Sequence, residues 1–249
     1  MVILKSRAEI DIMAQSGRIV AEALNALRGI VRPGVTTREI EKFVEVFVLD
    51  KGGLMAFKGY RGYPAGICAS VNDEVVHGIP SSRTLKEGDI ISIDLGVYKD
   101  GFYSDGAVTL PVGKTTPEAE RLLRVTEEAL YMGIENARPG KRVSDISASI
   151  QRHVEARGYS VVRVFVGHGI GRSLHEEPQV PNYTDSGHAL RLKEGMTIAI
   201  EPMVNAGGYE VRVLEDGWTA VTTDGSLSAH FEHTVAVTGN GAKILTKIE

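Results

Sequence analysis

The chain has 249 residues, which is enough for one sizeable hydrophobic core and barely enough for two small domains. Hydrophobic residues make up 43% and charged residues 24%, and no apolar run approaches the roughly 18 residues that span a bilayer. The single cysteine, Cys68, excludes an internal disulfide and a cysteine-rich zinc site. The net charge of −4 argues against coating of nucleic acid by bulk charge. The first ten residues lack the pattern of a signal peptide, so we expect a cytoplasmic protein.

Self-similarity along the chain indicates two related halves. Glu22-Ala23-Leu24 recurs as Glu128-Ala129-Leu130, and Arg32-Pro33-Gly34 recurs as Arg138-Pro139-Gly140, in both cases 106 residues later. At the same offset, apolar residues that advance by four pair with one another: Ile40 with Ile146, Val44 with Ile150, and Val48 with Val154. A spacing of four is that of one helix face, and Gly52 and Gly158 follow where a helix would end. Each half is therefore predicted to contain a helix, a Pro-Gly turn and a second helix.

The repeat continues into predicted strands. Leu85-Lys86-Glu87-Gly88 recurs as Leu192-Lys193-Glu194-Gly195, and the strands after these segments also correspond. Helices followed by runs of strands in each half favour an α+β fold with an antiparallel sheet. We therefore expect one catalytic domain over residues 1–249, with halves at about 8–113 and 118–240.

Carboxylates occupy matching strand positions in the two halves. In the segment 90–95, Ile91, Ile93 and Leu95 point to one face while Asp94 points to the other. Glu201 takes the corresponding place in half two. Asp100-Gly101 is a strong signal for a two-residue hairpin. That hairpin would pair Asp105 with Gly96, which makes Asp94 and Asp105 diagonal neighbours within reach of a common ion.

Two further residues complete the candidate cluster. Glu232 lies in the strand-like run 229–237 and takes the place in half two that Asp105 takes in half one, while His168 lies within Gly-His-Gly-Ile-Gly. Four converging carboxylates repel one another, and no lysine or arginine lies within these motifs. Two divalent cations would balance them. The pattern therefore favours a metal site over a set of solvated charges.

These residues resemble a known pattern. In this order, the five match the metal ligands of the methionine aminopeptidases, the pita-bread metallopeptidases: Asp94, Asp105, His168, Glu201 and Glu232. The flanking strings are similar to the bacterial type I enzymes: 58–64 (Lys-Gly-Tyr-Arg-Gly-Tyr-Pro), 70–80, 167–171, 175–179, 199–203 and 229–234. The resemblance covers essentially the whole chain. It implies a pita-bread fold in which two pseudo-symmetric halves, each with a helix pair and antiparallel strands, surround a central cleft.

The resemblance also implies an activity, which is removal of the initiator methionine from nascent polypeptides when the second residue is small and uncharged. Asp94 would ligate one ion, His168 and Glu201 the other, and Asp105 and Glu232 would bridge the two. A metal-bound hydroxide would attack the scissile carbonyl, with Glu201 as general base. Oxygen and nitrogen ligands without thiolate suit cobalt, manganese, iron or zinc, and the residues do not choose among these metals.

Two histidines and an apolar pocket match the substrate-contacting residues of the family. His77 would face the scissile amide nitrogen, and His175 would donate a hydrogen bond to the carbonyl oxygen as that oxygen gains charge. The pocket for the methionine side chain would comprise Tyr60, Tyr63, Cys68, Leu174 and Trp218. Phe57 is a further candidate for its wall. Some relatives carry Phe at the position of Leu174 and Cys at that of Phe57, which leaves the pocket width open.

The remaining histidines carry no such match. His230, Glu232 and His233 resemble a zinc triad, but His233 would point away from the other two on a strand. The resemblance implies that Glu232 alone of the three is a ligand, so His230 is expected behind the metal ligands at most. His153 is expected at the surface of a helix, and His188 belongs to no motif.

Three other classes of protein with this fold match the sequence less well. Prolidases and X-Pro aminopeptidases carry a large N-terminal domain, for which a repeat beginning near residue 8 leaves no room. Type II methionine aminopeptidases carry an insertion in the second half, and the spacing from His168 to Glu201 is compact. A pita-bread binding module would have lost ligands, and all five are present. The expected partners are nascent N-termini and, transiently, the ribosome. We expect a monomer that binds neither a membrane nor nucleic acid of a specific sequence.

Overall fold

The computed structural model describes residues 2–184 and 190–248, so His188 lies outside the described residues. Its helices are α1 Arg7–Leu27, α2 Thr37–Asp50, α3 Pro117–Glu135 and α4 Val143–Glu155. Its strands are β1 Leu54–Met55, β2 Cys68–Val71, β3 Glu74–Val76, β4 Ile90–Lys99, β5 Phe102–Pro111, β6 Ser160–Val161, β7 Gly167–Gly169, β8 Glu176–Val180, β9 Thr197–Ile200, β10 Met203–Asn205, β11 Val211–Val213, β12 Ala220–Thr222, β13 Ser228–His230, β14 Glu232–Thr238 and β15 Gly241–Ile244. A 3-10 turn spans Tyr60–Gly62.

The helix pair predicted for each half is confirmed. The apolar stripes of α2 and α4 are fully buried: Ile40, Val44 and Val48 in the first, and Ile146, Ile150 and Val154 in the second. Side chains cap the N-termini of α1 and α2, where Ser6 with Glu9 and Thr36 with Glu39 form reciprocal capping boxes. The described helices include none that is long and apolar enough to cross a bilayer.

A large antiparallel sheet joins the two halves. Its strands follow the order β1-β4-β5-β14-β9-β7-β8, with β2 paired to β4 and β15 paired to β14. The predicted hairpin connects β4 to β5 through Asp100 and Gly101, whose φ angles of 49° and 88° suit a two-residue turn. In the resulting register Asp105 faces Gly96, as predicted. The strands of the first half meet those of the second where Glu232 on β14 pairs with Ala107 on β5.

The run 229–237, expected as one strand, is interrupted. β13 ends at His230 and belongs to a small sheet with β10 and β6, whereas β14 begins at Glu232 in the large sheet. A matching gap separates β9 from β10 at Glu201 and Pro202. Phe231 donates its N–H to the Pro202 carbonyl at 3.4 Å, so the two segments lie side by side where each passes from one sheet to the other. Both gaps adjoin a carboxylate of the candidate cluster.

His153 is a second difference from the sequence expectation. Its side chain on α4 is only 11% exposed, and its Nε2 lies 3.0 Å from Glu128 Oε2 on α3. The apolar stripe of α4 faces the core, but the neighbouring helix covers the flank that carries His153. A helical pattern read along one helix does not reveal such a neighbour.

Gly17 on α1 provides a test of this packing. A Cβ at Gly17 would lie 2.4 Å from the backbone oxygen of Leu245, which cannot rotate away, whereas a Cβ at Gly29 would meet nothing closer than 3.7 Å. We expect Gly17→Ala to lower the free energy of unfolding by about 1–3 kcal/mol because of overpacking. Gly29→Ala should leave it unchanged or raise it by up to about 1 kcal/mol. Urea denaturation measures both, and equal stabilities for the two variants would contradict the packing described here.

Candidate metal centre

The five residues predicted as ligands come from both halves and line one cavity. Asp94 lies on β4 and Asp105 on β5, while His168 lies on β7 and Glu232 begins β14. Glu201 follows β9 directly, in the gap before β10. Alternation along β4 sends Ile91 and Ile93 into the core and leaves Asp94 on the face toward the cavity. The structure therefore brings together residues that are up to 138 positions apart in the sequence.

The ligand atoms are close enough to share ions. One atom each from Asp105, His168 and Glu232 lies within 4.8 Å of the other two. Glu201 approaches from the second half, with Oε1 3.6 Å from His168 Nε2. Asp94 is the diagonal neighbour of Asp105 across the β4–β5 ladder. The separations are those of side chains arranged around cations.

Burial raises the pKa of all four carboxyl groups, and neighbouring carboxylates raise it further for three of them. Removal from water raises the pKa of Asp105 to about 7. Burial likewise raises the pKa of Asp94 well above its usual value, and the charges of Asp105 and Glu201 add to it. The pKa values of Glu201 and Glu232 are raised by burial first and by neighbouring carboxylates second. A protein without cations in this cavity therefore holds protons here near neutral pH.

The hydrogen bonding of His168 leaves its Nε2 free to act as a metal ligand. Its Nδ1 lies 2.8 Å from the carbonyl oxygen of Gly169, which only accepts, so Nδ1 carries the hydrogen. Burial lowers the pKa of His168 to about 4, so the ring is neutral at pH 7. Nε2 is then unprotonated and faces Glu201. A fixed tautomer of this kind is typical of a metal-ligating histidine.

Unpartnered polar atoms support the fit of these residues to metal ions. Among the described residues, Asp94 Oδ1 and Glu232 Oε1 are buried oxygens without a hydrogen-bond partner. Leaving a buried carboxylate oxygen unpaired is costly, and a cation would satisfy it. Oxygen and nitrogen donors without a thiolate suit borderline or hard divalent ions. The residues present therefore fit the metal that the sequence pattern indicates.

The same cavity, of about 210 Å³, contains both predicted substrate-contacting histidines. His175 Nδ1 lies 2.8 Å from the hydroxyl oxygen of Tyr60, and its ring centroid lies 4.1 Å from that of His168. Burial lowers the pKa of His175 to about 3, and the positive charges of neighbouring groups contribute. His77 has a left-handed φ of 61° and packs edge-on against Phe165. Such a backbone conformation is unfavourable for a histidine and is common at functional sites.

The predicted apolar pocket lies beside the carboxylates. Tyr63 meets Trp218 edge-on with centroids 5.1 Å apart, and its hydroxyl donates to the Gly78 carbonyl at 3.0 Å. Cys68 pairs with Asp94 on the neighbouring strand and is buried, and burial raises the pKa of its thiol. The thiol is therefore protonated and unsuited to act as a nucleophile. Every predicted pocket residue lines the cavity: Phe57, Tyr60, Tyr63, Cys68, Leu174 and Trp218.

His230 lies behind the cluster, where the sequence pattern placed it. Its Nε2 is 3.8 Å from Glu201 Oε2 and has no hydrogen-bond partner among the described residues. His233 points elsewhere, with Nδ1 2.9 Å from Thr246 Oγ1. The three residues of the apparent zinc triad therefore do not converge.

Three residues that the sequence did not single out also line the cavity: Arg61, Phe165 and Val166. Arg61 is the one arginine or lysine among the described lining residues, and its φ of 50° is left-handed. Its guanidinium lies 5.5 Å from the ring centroid of Tyr60. The neighbouring Gly59 and Gly62 predict a turn at this position, but they do not predict to which side Arg61 points. Phe165 and Val166 precede the Gly-His-Gly motif in a segment that forms no strand.

Comparisons with known proteins agree with this geometry. The model of metallopeptidase family M24 matches residues 11–239. A methionine aminopeptidase of Clostridium perfringens is 54% identical over 249 residues, which cover 100% of both chains. Methionine aminopeptidase 1 of Bacillus subtilis is 50% identical over 248 residues, again with 100% of both chains covered. The crystal structure of methionine aminopeptidase from Thermotoga maritima matches with a TM-score of 0.97 and 49% identity, over 100% of both chains.

This similarity extends over the whole length of each relative, so it includes both helix pairs and all strands that carry the cluster. The α+β architecture predicted from the repeat is confirmed as the pita-bread fold. The chain belongs to metallopeptidase family M24 and, within it, to the methionine aminopeptidases.

Proposed function

We propose that this chain removes an N-terminal methionine from peptides and nascent polypeptides when the second residue is small and uncharged. One observation carries the proposal: the carboxylate and histidine cluster and the apolar pocket share a single cavity. An unbranched apolar side chain in the pocket would bring the peptide bond that follows it to the cluster. The relatives that bear the name methionine aminopeptidase support the same conclusion.

Two divalent ions, chosen from cobalt, manganese, iron and zinc, would be held by five side chains: Asp94, Asp105, His168, Glu201 and Glu232. When bound, such ions lower the pKa of a water molecule and polarise a carbonyl group. Glu201 would accept the proton of the attacking water as general base. Its carboxylate suits that role by position, because Oε1 lies among the other ligands, 3.6 Å from His168 Nε2.

His175 would stabilise the carbonyl oxygen as it becomes negative. The ring is neutral at pH 7 because burial lowers its pKa to about 3, so it carries one N–H. The Tyr60 hydroxyl can donate to Nδ1 across 2.8 Å, which leaves the hydrogen on Nε2 for the substrate. His77 would contact the scissile amide on its nitrogen side. A donor aimed at an oxyanion contributes to catalysis without moving during the reaction.

The pocket would select methionine by shape. Phe57 and Leu174, 8% and 2% exposed, narrow the cavity with side chains that are held by packing. Asp216 accepts hydrogen bonds from the N–H groups of Trp218 and Thr219 and so fixes the backbone that carries the Trp218 ring. Branched side chains would meet these walls, whereas an unbranched thioether can adapt to them.

We extend the proposal to the organisation of the chain. Residues 1–249 would act as one catalytic domain with halves at 8–113 and 118–240, because neither half carries all five ligands. Nascent N-termini would be bound by the cytoplasmic protein acting as a monomer, during transient contact with the ribosome. No membrane and no sequence-specific nucleic acid would take part.

A peptide panel tests the activity. With added manganese or cobalt, we expect release of methionine from Met-Ala-Ser, and at least tenfold slower release of leucine from Leu-Ala-Ser because of the extra branch. Met-Leu-Ser should also be slow, and chelation of the metal should abolish all release. Cleavage of Xaa-Pro peptides but not of Met-Ala-Ser would instead indicate a prolidase. No turnover with any of the metals would favour a binding module.

His175→Ala should separate chemistry from metal binding. We expect kcat to fall about 10²–10³-fold, because one donor to the oxyanion is lost, while the metal content of the purified protein stays unchanged. His153→Ala is the matched control, since His153 lies on α4 and pairs with Glu128 instead of lining the cavity. Equal kcat values for the wild type and His175→Ala would remove His175 from the mechanism.

The raised carboxyl pKa values predict that metal binding stabilises the fold more strongly at higher pH. In the metal-free protein, protonated carboxyls contribute stability that is lost as pH rises through Asp105's pKa of about 7 and those of its neighbours. Metal ions replace these protons and remove the loss. The increase in melting temperature on adding manganese should therefore grow between pH 5 and 8, by about 3–5 °C per pH unit for each proton displaced.

The pH prediction has an internal control. His77, His230 and His233 have lowered pKa values and are not among the proposed ligands, so their titration cancels in the difference between the metal-free and metal-loaded proteins. The ligand His168, with a pKa of about 4, is neutral over the whole range from pH 5 to 8. Glu232→Gln removes one displaceable proton and should reduce the slope. A stabilisation by manganese that is constant from pH 5 to 8 would show that no carboxyl group of the cluster releases a proton on binding.

A further inference from the structure

The segment from Gly171 to Glu176 carries two cavity residues, Leu174 and His175, and needs to be held in place. Only short contacts close the turn internally: Gly171 donates its N–H to the Ser173 carbonyl at 3.1 Å, and Ser173 donates its N–H to Glu176 Oε1 at 3.1 Å. Outside the turn, the Tyr103 N–H donates to the Gly171 carbonyl at 2.8 Å. Glu176 begins β8, where its backbone pairs with Gly169 on β7, and its side chain closes the turn. The position of His175 therefore depends on this strand pairing and on where the Glu176 carboxylate is fixed.

Lys5 fixes the other oxygen of that carboxylate. Its ammonium forms a short ion pair with Glu176 Oε2, and the two side chains are only 2% and 7% exposed. The carboxylate next to His175 thus uses Oε1 inside its own turn and Oε2 on the N-terminal segment of the chain. A charge-assisted hydrogen bond in a dry environment is a strong positional constraint.

Lys5 is itself anchored on both sides. Its N–H donates to the Gly195 carbonyl at 2.7 Å, and its ammonium also donates to the Ile3 carbonyl at 3.1 Å. Its stem lies against Gly171, where an added Cβ would be 2.3 Å from Lys5 Cε. A side chain at position 171 would therefore displace the end of Lys5 from its place beside Glu176. This contact is a further point at which the N-terminal segment packs against the turn.

A second ion pair joins the same two segments. Arg172 Nη2 lies 3.0 Å from Glu9 Oε1, and Glu9 also closes the capping box of α1 with Ser6. The guanidinium of Arg172 stacks over Phe102 at 4.5 Å. Residues 3–9, which we call the N-terminal strap, thus contact the turn on both sides of Leu174 and His175.

We propose that Lys5 is a positioning residue. Through Glu176, the N-terminal strap holds the turn so that His175 keeps its hydrogen bond with the Tyr60 hydroxyl and its ring contact with His168. This inference rests on the proposed role of His175 as donor to the carbonyl oxygen. Without Lys5, the Glu176 carboxylate would turn toward water and no longer accept the hydrogen bond from the Ser173 N–H. His175 would then move away from its place, and a displacement of about 1 Å at a catalytic group can reduce turnover 10²-fold.

Hydrogen exchange of the amides from 172 to 176, measured in the protein as purified, reports on the turn without reference to any substrate. We expect Lys5→Met to speed exchange of the Ser173 amide at least tenfold. Lys51→Met is the matched control, because it removes an ion pair with Glu22 on α1 that lies away from the turn. Equal exchange at residues 172–176 in the wild type and Lys5→Met would overturn the proposal.

The double variant Lys5→Met/Glu176→Gln guards against a merely electrostatic effect. It removes the lone buried carboxylate that can unfold the single variant. If the strap positions the turn, the double variant keeps the fast exchange and a kcat lowered about 10–100-fold, with KM within about twofold of the wild type. Recovery of wild-type exchange and kcat in the double variant would show that the ion pair only avoids an unpaired charge, and would overturn the proposal.

The two readouts separate this inference from the proposed function. Failure of the wild type to release methionine would refute the activity while the exchange data still decided whether Lys5 holds the turn. Normal activity together with unchanged exchange in Lys5→Met would refute the strap alone. Raised exchange with unchanged kcat would show that the turn is held but that His175 does not depend on it, which also contradicts the proposal.

Discussion

Four carboxyl groups buried in one cavity are the constraint on which the rest of the structure depends. Burial holds their pKa values above the usual range, and neighbouring carboxylates add to this for Asp94, Glu201 and Glu232. The group is therefore stable only when protons or cations occupy it. The fixed tautomer of His168 and the unpartnered oxygens of Asp94 and Glu232 agree with cations as the occupants. Helices, hairpin and sheet all serve to hold these charges against their repulsion.

The two halves support the cluster in different ways. Asp94 and Asp105 lie within long, continuous strands joined by a two-residue turn, so their spacing follows from the ladder register. Glu201 and Glu232 lie beside interruptions where the chain passes from one sheet to another. His168 lies on β7, whereas His77 and His175 lie in turns, the first with a left-handed φ and the second beside Glu176, whose side chain closes its turn. Regular strands thus fix the first pair of acids, and long-range contacts fix the rest.

Sequence reasoning succeeded where the controlling interactions are local. Spacing by four predicted α2 and α4, and Asp100-Gly101 predicted the register that sets Asp105 beside Asp94. It failed where a distant neighbour decides. The break at Phe231 depends on Pro202, and the lining position of Arg61 depends on a turn whose direction its own residues leave open. The anchoring of Glu176 by Lys5 joins residues 171 positions apart, which no periodicity reveals.

The pairing of β5 with β14 has the form of an interface between identical subunits. Glu232 lies opposite Ala107 on β5, and in the reciprocal direction Asp105 donates its N–H to the Thr234 hydroxyl on β14 at 2.8 Å. Because Asp105 and Glu232 are equivalent positions of the repeat, residue i contacts j and j contacts i, as in a two-fold symmetric dimer. The pairing thus has the reciprocal form that a two-fold relation between the halves would produce, and the carboxylate cluster lies across the seam between them.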